Sequence, residues 1–108
     1  MIAARFISRG GSLCGFVISG HDGSRPAGES ILCAAVSSAA LLTANTLTEI
    51  FGCAAETDEA DGYLSVQVTD RQETASLLIA GLRLHLTELH KQYPAQIRVE
   101  TTEVSQSC

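Results

Sequence analysis

The segment from residue 30 to residue 53 restricts the fold more than any other part of this chain. It is long, apolar and rich in alanine, which predicts a helix that packs closely against a flat surface. Ser30 is a suitable N-cap because its hydroxyl can accept from the unpaired backbone N–H groups of a first helical turn. The apolar residues that recur near helical spacing are Ile31, Ala35, Ala39, Leu42 and Ile50.

Alternating segments before this helix predict the flat surface. Residues 2–8 and 13–19 have the alternation of strands, and Gly10 and Gly11 lie between them. Two glycines between apolar runs indicate a tight turn, so we expect an antiparallel hairpin.

The second half of the chain predicts a strand, a helix and a strand. The acidic residues 56–62 are typical of a turn, and residues 63–69 then alternate as a half-buried strand. A helix begins at Asp70 or Gln72 and ends near Tyr93, before Pro94. Its apolar stripe is predicted to be Ala75, Leu78, Leu82, His85 and Leu89. Residues 97–104 alternate again and complete the sheet.

The order strand, strand, helix, strand, helix, strand predicts an α/β fold, a two-layer sandwich with two helices on a four-stranded sheet. No linker or internal repeat divides the sequence, so residues 1–108 are expected to form a single domain.

The composition excludes several function classes. The net charge of −5 argues against direct nucleic-acid binding, which needs clustered Lys and Arg, and suits a basic protein or peptide. The four cysteines lack the C-x-x-C spacing of structural zinc sites, so we expect no metal and no cofactor. The N-terminus lacks a signal-peptide pattern, and no unbroken apolar stretch reaches the ~20 residues of a membrane span. We therefore expect a cytoplasmic protein, away from membranes, with reduced thiols.

The segment 20–28 and the helix start after it are the candidate site. The segment has three glycines, no apolar periodicity and more than the usual length of a connection, which favours a function over a simple link. His21 lies at the exit of the second strand and is expected to be accessible. Cys33 lies in the first helical turn, where the positive end of the helix favours a thiolate and backbone N–H groups can hold an oxyanion.

Ordinary structural roles remain open for every cysteine and histidine. A cysteine in an alanine-rich helix is usually a small buried hydrophobe, and by composition alone this holds for Cys33 too. Cys14 and Cys53 fit that role, and Cys108 is expected to lie in a loose tail. His85 is expected in the core, and His90 near a helix C-terminus, where a partial positive charge is favourable.

The motif residues resemble a known family. Gly20-His21, then Gly28, then the run ILCAAVS at residues 31–37 are similar to the signature of the ribosomal-processing cysteine protease Prp family. The resemblance spans essentially the whole chain. It implies a homodimeric Cys–His endopeptidase that removes the N-terminal extension of the twenty-seventh large-subunit ribosomal protein, with this precursor as its partner.

The same resemblance assigns the site. His21 and Cys33 match the catalytic pair, and Ser37 lies one helical turn after the nucleophile on the same face. Supporting or substrate-binding roles are expected for Gly20, Asp22, Gly28, Ser30 and Ser37.

Two positions depart from the family pattern. Ser30 stands where the family usually has an acid, and Asp22 replaces a small residue. Asp22 or Glu29 is a candidate to orient His21 instead. These departures keep open a non-catalytic, dimeric, ribosome-associated binding module. A redox sensor at Cys33 is a weaker alternative, since no resolving cysteine lies nearby in sequence.

Overall fold

The computed structural model describes residues 1–21 and 30–104 of the chain. Its elements follow in the order β1 (Ile2–Arg9), β2 (Ser12–Ser19), α1 (Ile31–Asn45), a π-helical turn (Thr46–Ile50), β3 (Ala55–Ala60), β4 (Tyr63–Val68), α2 (Gln72–Gln92) and β5 (Ile97–Glu103). Two helices pack on one mixed sheet, which confirms the α/β two-layer sandwich.

The sheet has the strand order β3-β4-β2-β1-β5. Strand β1 pairs antiparallel with β2 and parallel with β5, so the predicted hairpin is confirmed. A bulge interrupts the β1–β2 register between Ile7 and Ser8. The extra residue lies on β2, where Leu13, Cys14, Gly15 and Phe16 are buried in succession.

The sheet has five strands rather than the predicted four. The additional strand is β3, which falls mostly in the acidic segment that predicted only a turn. It forms one edge of the sheet, and all its residues except Ala55 are exposed. An edge strand with charges on both faces has no hydrophobic alternation, so the usual strand pattern is absent from its sequence.

Helix α1 begins as predicted and buries a different stripe. Ser30 Oγ accepts from the Cys33 N–H at 3.0 Å, which confirms the N-cap. The buried residues of the helix are Leu32, Val36, Ala40 and Ala44. The stripe indicated by spacing is wrong by one position, since Ile31 and Leu42 are exposed. Alanine on neighbouring faces weakens the contrast from which a helix phase is inferred.

Helix α2 corrects the expected place of one histidine. Its buried residues are Ala75, Ile79, Leu82 and Leu86, while His85 is exposed on the side facing a groove against α1. The prediction of a core His85 is therefore wrong. His90 lies in the last turn, and its Nδ1–H donates to the Ile97 carbonyl at 2.6 Å, which ties the helix end to β5.

One hydrophobic core joins both helices to one face of the sheet. Phe6 of β1 and Phe16 of β2 are fully buried at its centre, with their rings 6.3 Å apart. Ala40 and Ala44 of α1 belong to this core, but the helix whose backbone lies close to β2 and β5 is α2.

The apolar α1 region is longer than the sequence expectation allowed. Ile31–Ile50 spans 20 residues with a mean hydropathy of 1.6, and is long and apolar enough to cross a membrane by length and composition alone. One such helix is a weak indication, because core helices pass the same test. Here Leu32, Val36 and Ala40 belong to the core shared with the sheet.

The cysteines differ from the expectation of four thiols. Cys33 and Cys53 carry thiols, half-buried and buried respectively. Cys14 is disulfide-bonded, so the expectation of a thiol is wrong at that position. Cys108 lies outside the described residues.

Candidate active site

Cys33 lies in the first turn of α1, as the sequence predicts. The Ser30 cap holds this turn, and the Cys33 side chain is half-buried at the edge of the core. A thiol in this position is partly accessible and lies near the positive end of a fifteen-residue helix.

His21 follows the end of β2 and is exposed, as predicted. The residue before it, Gly20, has a φ of +92° and donates its N–H to the Gly62 carbonyl at 3.0 Å. A side chain at Gly20 would meet the Met1 carbonyl oxygen, so only glycine fits there. Gly20 thus leads the chain into His21 through a backbone conformation that suits glycine, and its supporting role stays a prediction.

The two candidate catalytic residues border one cavity of about 320 Å³. His21 and Cys33 both line it, with Ser30 and Ser37 from α1. Ser37 is exposed and lies one turn beyond Cys33 on the cavity side. With Gly20, five of the sequence-predicted site residues thus border one space. Asp22 and Gly28 lie outside the described residues, as does Glu29.

The amides of the first helical turn are already partly engaged. The Cys33 N–H donates to the Ser30 hydroxyl, and the Ala34 N–H donates to the Ser30 carbonyl at 3.2 Å. An oxyanion that uses the Cys33 N–H competes with this cap. The helix start therefore offers fewer oxyanion donors than expected, because the Cys33 and Ala34 N–H groups already donate to Ser30.

The β3–β4 hairpin forms a wall of the cavity that the sequence reasoning missed. Glu59, Asp61, Gly62 and Tyr63 all line the cavity from this hairpin. The dipeptide Asp61-Gly62 before an alternating strand is a hairpin signal and could have located the turn. Nothing in the sequence shows that this turn lies beside His21. Two carboxylates consequently border the same space as the thiol and the imidazole.

No candidate metal site appears in the described part of the chain. Within residues 1–21 and 30–104, no three His, Cys, Asp or Glu side chains are grouped so that they could hold a metal ion. The cavity chemistry available there consists of a thiol, an imidazole, hydroxyls and carboxylates.

The family described as cysteine protease Prp matches residues 1–98 of the chain. The chain is also similar to SMU.848 from Streptococcus mutans, with 31% identity, a TM-score of 0.79 and 96% of each chain covered. No curated protein matches.

Two further structures share the fold at lower identity. Both are of the essential ribosomal processing protease Prp from S. aureus. One, in complex with a covalently linked product peptide, has 19% identity and a TM-score of 0.87. The other, in complex with a substrate peptide, has 18% identity and a TM-score of 0.83. Each alignment covers 94% of this chain and 100% of the other.

Proposed function

Because the chain belongs to the cysteine protease Prp family, we propose that it removes the N-terminal extension of the twenty-seventh large-subunit ribosomal protein. Membership makes the chain a cysteine peptidase. The proposal adds the substrate and the roles of Cys33 as nucleophile and His21 as general base and acid. The observation that carries it is that both side chains line one cavity.

The proposed chemistry divides peptide cleavage into two steps. His21 takes the proton from Cys33, and the sulfur attacks the scissile carbonyl carbon. As the C–N bond breaks, His21 gives the proton to the departing amine, which leaves a thioester on Cys33. His21 then takes a proton from water, and the resulting hydroxide attacks the thioester carbonyl carbon. The C–S bond breaks to release the carboxylic acid product, and His21 returns the proton to the Cys33 thiolate. The S. aureus complex with a covalently linked product peptide supports a covalent route here.

The acidic wall supports a basic peptide as substrate. Glu59 and Asp61 are exposed and line the cavity, and the chain carries a net charge of −5. Carboxylates in a cleft attract cationic segments and disfavour acidic ones. In this proposal Ser37, which lines the cavity, contacts the substrate peptide, and Ser30 holds the turn that carries the nucleophile.

A homodimer in the cytoplasm completes the proposal. The family resemblance suggests the dimer, and exposed apolar side chains on both helices are consistent with a contact surface, among them Leu42, Leu77 and Leu84. The cytoplasmic location follows from the proposed ribosomal precursor. Light scattering on the purified chain distinguishes a dimer from a monomer.

Cleavage of a precursor peptide by single variants tests the proposed roles. Cys33→Ala should abolish cleavage, and His21→Ala should lower kcat by about 10²–10⁴-fold, the usual contribution of a general base. Cys53→Ala is the matched control, because Cys53 is the other described thiol and is buried away from the cavity. Product is measured by mass spectrometry. Undiminished cleavage by Cys33→Ala would contradict the mechanism, and precursor binding without cleavage by the wild type would favour the binding module.

A further inference from the structure

The β3–β4 turn touches the imidazole of His21. Gly62 has a φ of +68°, and a Cβ built on it would lie 2.5 Å from His21 Nε2, 3.0 Å from Cε1 and 3.3 Å from Cδ2. The ring edge that carries Nε2 therefore occupies the space that a side chain at position 62 would fill. No other glycine in the described residues has a side chain as its nearest neighbour in this way.

The backbone holds this contact in place. The Gly20 N–H donates to the Gly62 carbonyl at 3.0 Å, directly beside His21 in the chain. The same end of β2 pairs with β4, with Ser19 opposite Tyr63. The turn and the histidine backbone are thus fixed to each other on both sides of the contact.

We propose that Gly62 is a positioning residue of the active site. Because it has no side chain, it leaves room for the His21 imidazole against the turn. This inference rests on the proposed role of His21. An exposed histidine has several rotamers available in solution. The turn restricts the ring from one side, so that the imidazole stays over the cavity shared with Cys33.

The physical consequence of a side chain at Gly62 is specific. The atoms it would meet are the outer atoms of a histidine ring, which can swing away by rotation about the side-chain bonds. The fold can therefore absorb the clash cheaply, whereas the imidazole cannot keep its place. A side chain at Gly62 should therefore lower kcat much more than it lowers the stability of the fold.

Gly62→Ala and a matched control separate these effects. Gly10 lies in the other hairpin turn with a φ of +59°, and a Cβ there would meet nothing within 4 Å. Gly10→Ala thus introduces similar backbone strain without a contact. We expect similar Tm decreases for both variants. Gly62→Ala should lose about 10²-fold in kcat with little change in KM, as for a misplaced catalytic group, and Gly10→Ala should keep wild-type kcat.

Two further variants show whether the effect acts through His21. Gly62→Asn tolerates the left-handed backbone better than alanine but still carries a Cβ, so it should also lose kcat. In the His21→Ala background, Gly62→Ala should cause no further loss of kcat, because the ring it displaces is gone. An equal loss in both backgrounds, or wild-type kcat in Gly62→Ala, would overturn the proposal.

Histidine NMR tests the contact between Gly62 and the His21 imidazole independently of cleavage. The ring ¹⁵N and ¹H shifts of His21 should move in Gly62→Ala and stay in Gly10→Ala, while those of His85 and His90 stay in both. Unchanged His21 shifts in Gly62→Ala would overturn the proposal that Gly62 positions the ring, whether or not the protein cleaves the precursor peptide. Conversely, moved shifts in a protein whose Cys33→Ala variant cleaves normally would uphold the contact and reject the proposed role of His21.

Discussion

The two hairpin turns lie at opposite ends of β2, and both use glycine at positive φ, but their surroundings differ. Gly10 and Gly11 turn the chain between β1 and β2, and Gly62 does so between β3 and β4. All three have positive φ values, of 59°, 83° and 68°. A Cβ would meet nothing at the first two, whereas at Gly62 it would meet His21.

A local turn signal in the sequence therefore does not reveal what the turn contacts. Each turn contacts a titratable side chain from another segment of the chain. At the site end it is the His21 imidazole, and at the opposite end it is Glu103, whose Oε1 accepts from the Gly11 N–H at 3.2 Å. The first contact borders the cavity, while the second joins β5 to the β1–β2 turn. We therefore expect changes at the two ends to affect different properties.

After the loss of kcat expected for Gly62→Ala, the next largest effect is expected from the acidic residues of the site end. Combining Glu59→Gln with Asp61→Asn should raise KM for a basic precursor peptide about tenfold, because a cleft lined by one charge sign concentrates an oppositely charged ligand. The increase should shrink at high salt, where exposed charges are screened. Steady-state kinetics at low and high ionic strength measure both.

The control for this variant removes the same charge elsewhere. Glu73→Gln with Glu100→Gln changes two exposed carboxylates that do not line the cavity. KM should then stay near its wild-type value. Equal KM increases in both double variants would assign the effect to net charge and not to the hairpin.

Much of the fold was predictable because its segments carry their own periodicity. The β1–β2 hairpin, the end of α2 before Pro94 and the last strand follow from alternation and breakers in the sequence. Strand β3 does not, because it is held by backbone pairing with β4 at an edge where side chains face solvent. Pairing with a neighbour leaves no mark in the composition of a strand that buries nothing.

The site was predictable only in its parts. Ser30 and Cys33 could be placed at a helix start, since capping is a local interaction. Asp61 and Gly62 belong to a segment that is distant in sequence. They lie beside the cavity and His21 because β4 is the neighbour of β2 in the sheet. Sequence patterns report local geometry, and this contact is not local.

A moderate effect is expected from the cap at the site end. Ser30→Ala removes the acceptor of the Cys33 N–H, which should lower the free energy of unfolding by about 1 kcal/mol. Ser30→Asp is the matched variant, because aspartate caps a helix as well as serine does. Chemical denaturation should show a loss for alanine and none for aspartate. Equal losses would mean that the cap is not what Ser30 contributes.

The smallest effect is expected at the opposite end, and it depends on pH. Hydrogen bonds from the Ser8 side chain and the Gly11 backbone hold the pKa of the exposed Glu103 carboxyl below its usual value. A carboxyl whose pKa is lower when folded stabilises the fold above its unfolded pKa of about 4.3, and this contribution is lost as the pH falls through the folded value. Glu103→Gln should therefore lower Tm slightly at pH 7, and its Tm should approach that of the wild type in more acidic solution. Cleavage should be unaffected, since Glu103 lies at the far end of β2 from His21. A loss of kcat comparable to that of Gly62→Ala would instead show that the two ends of β2 are coupled.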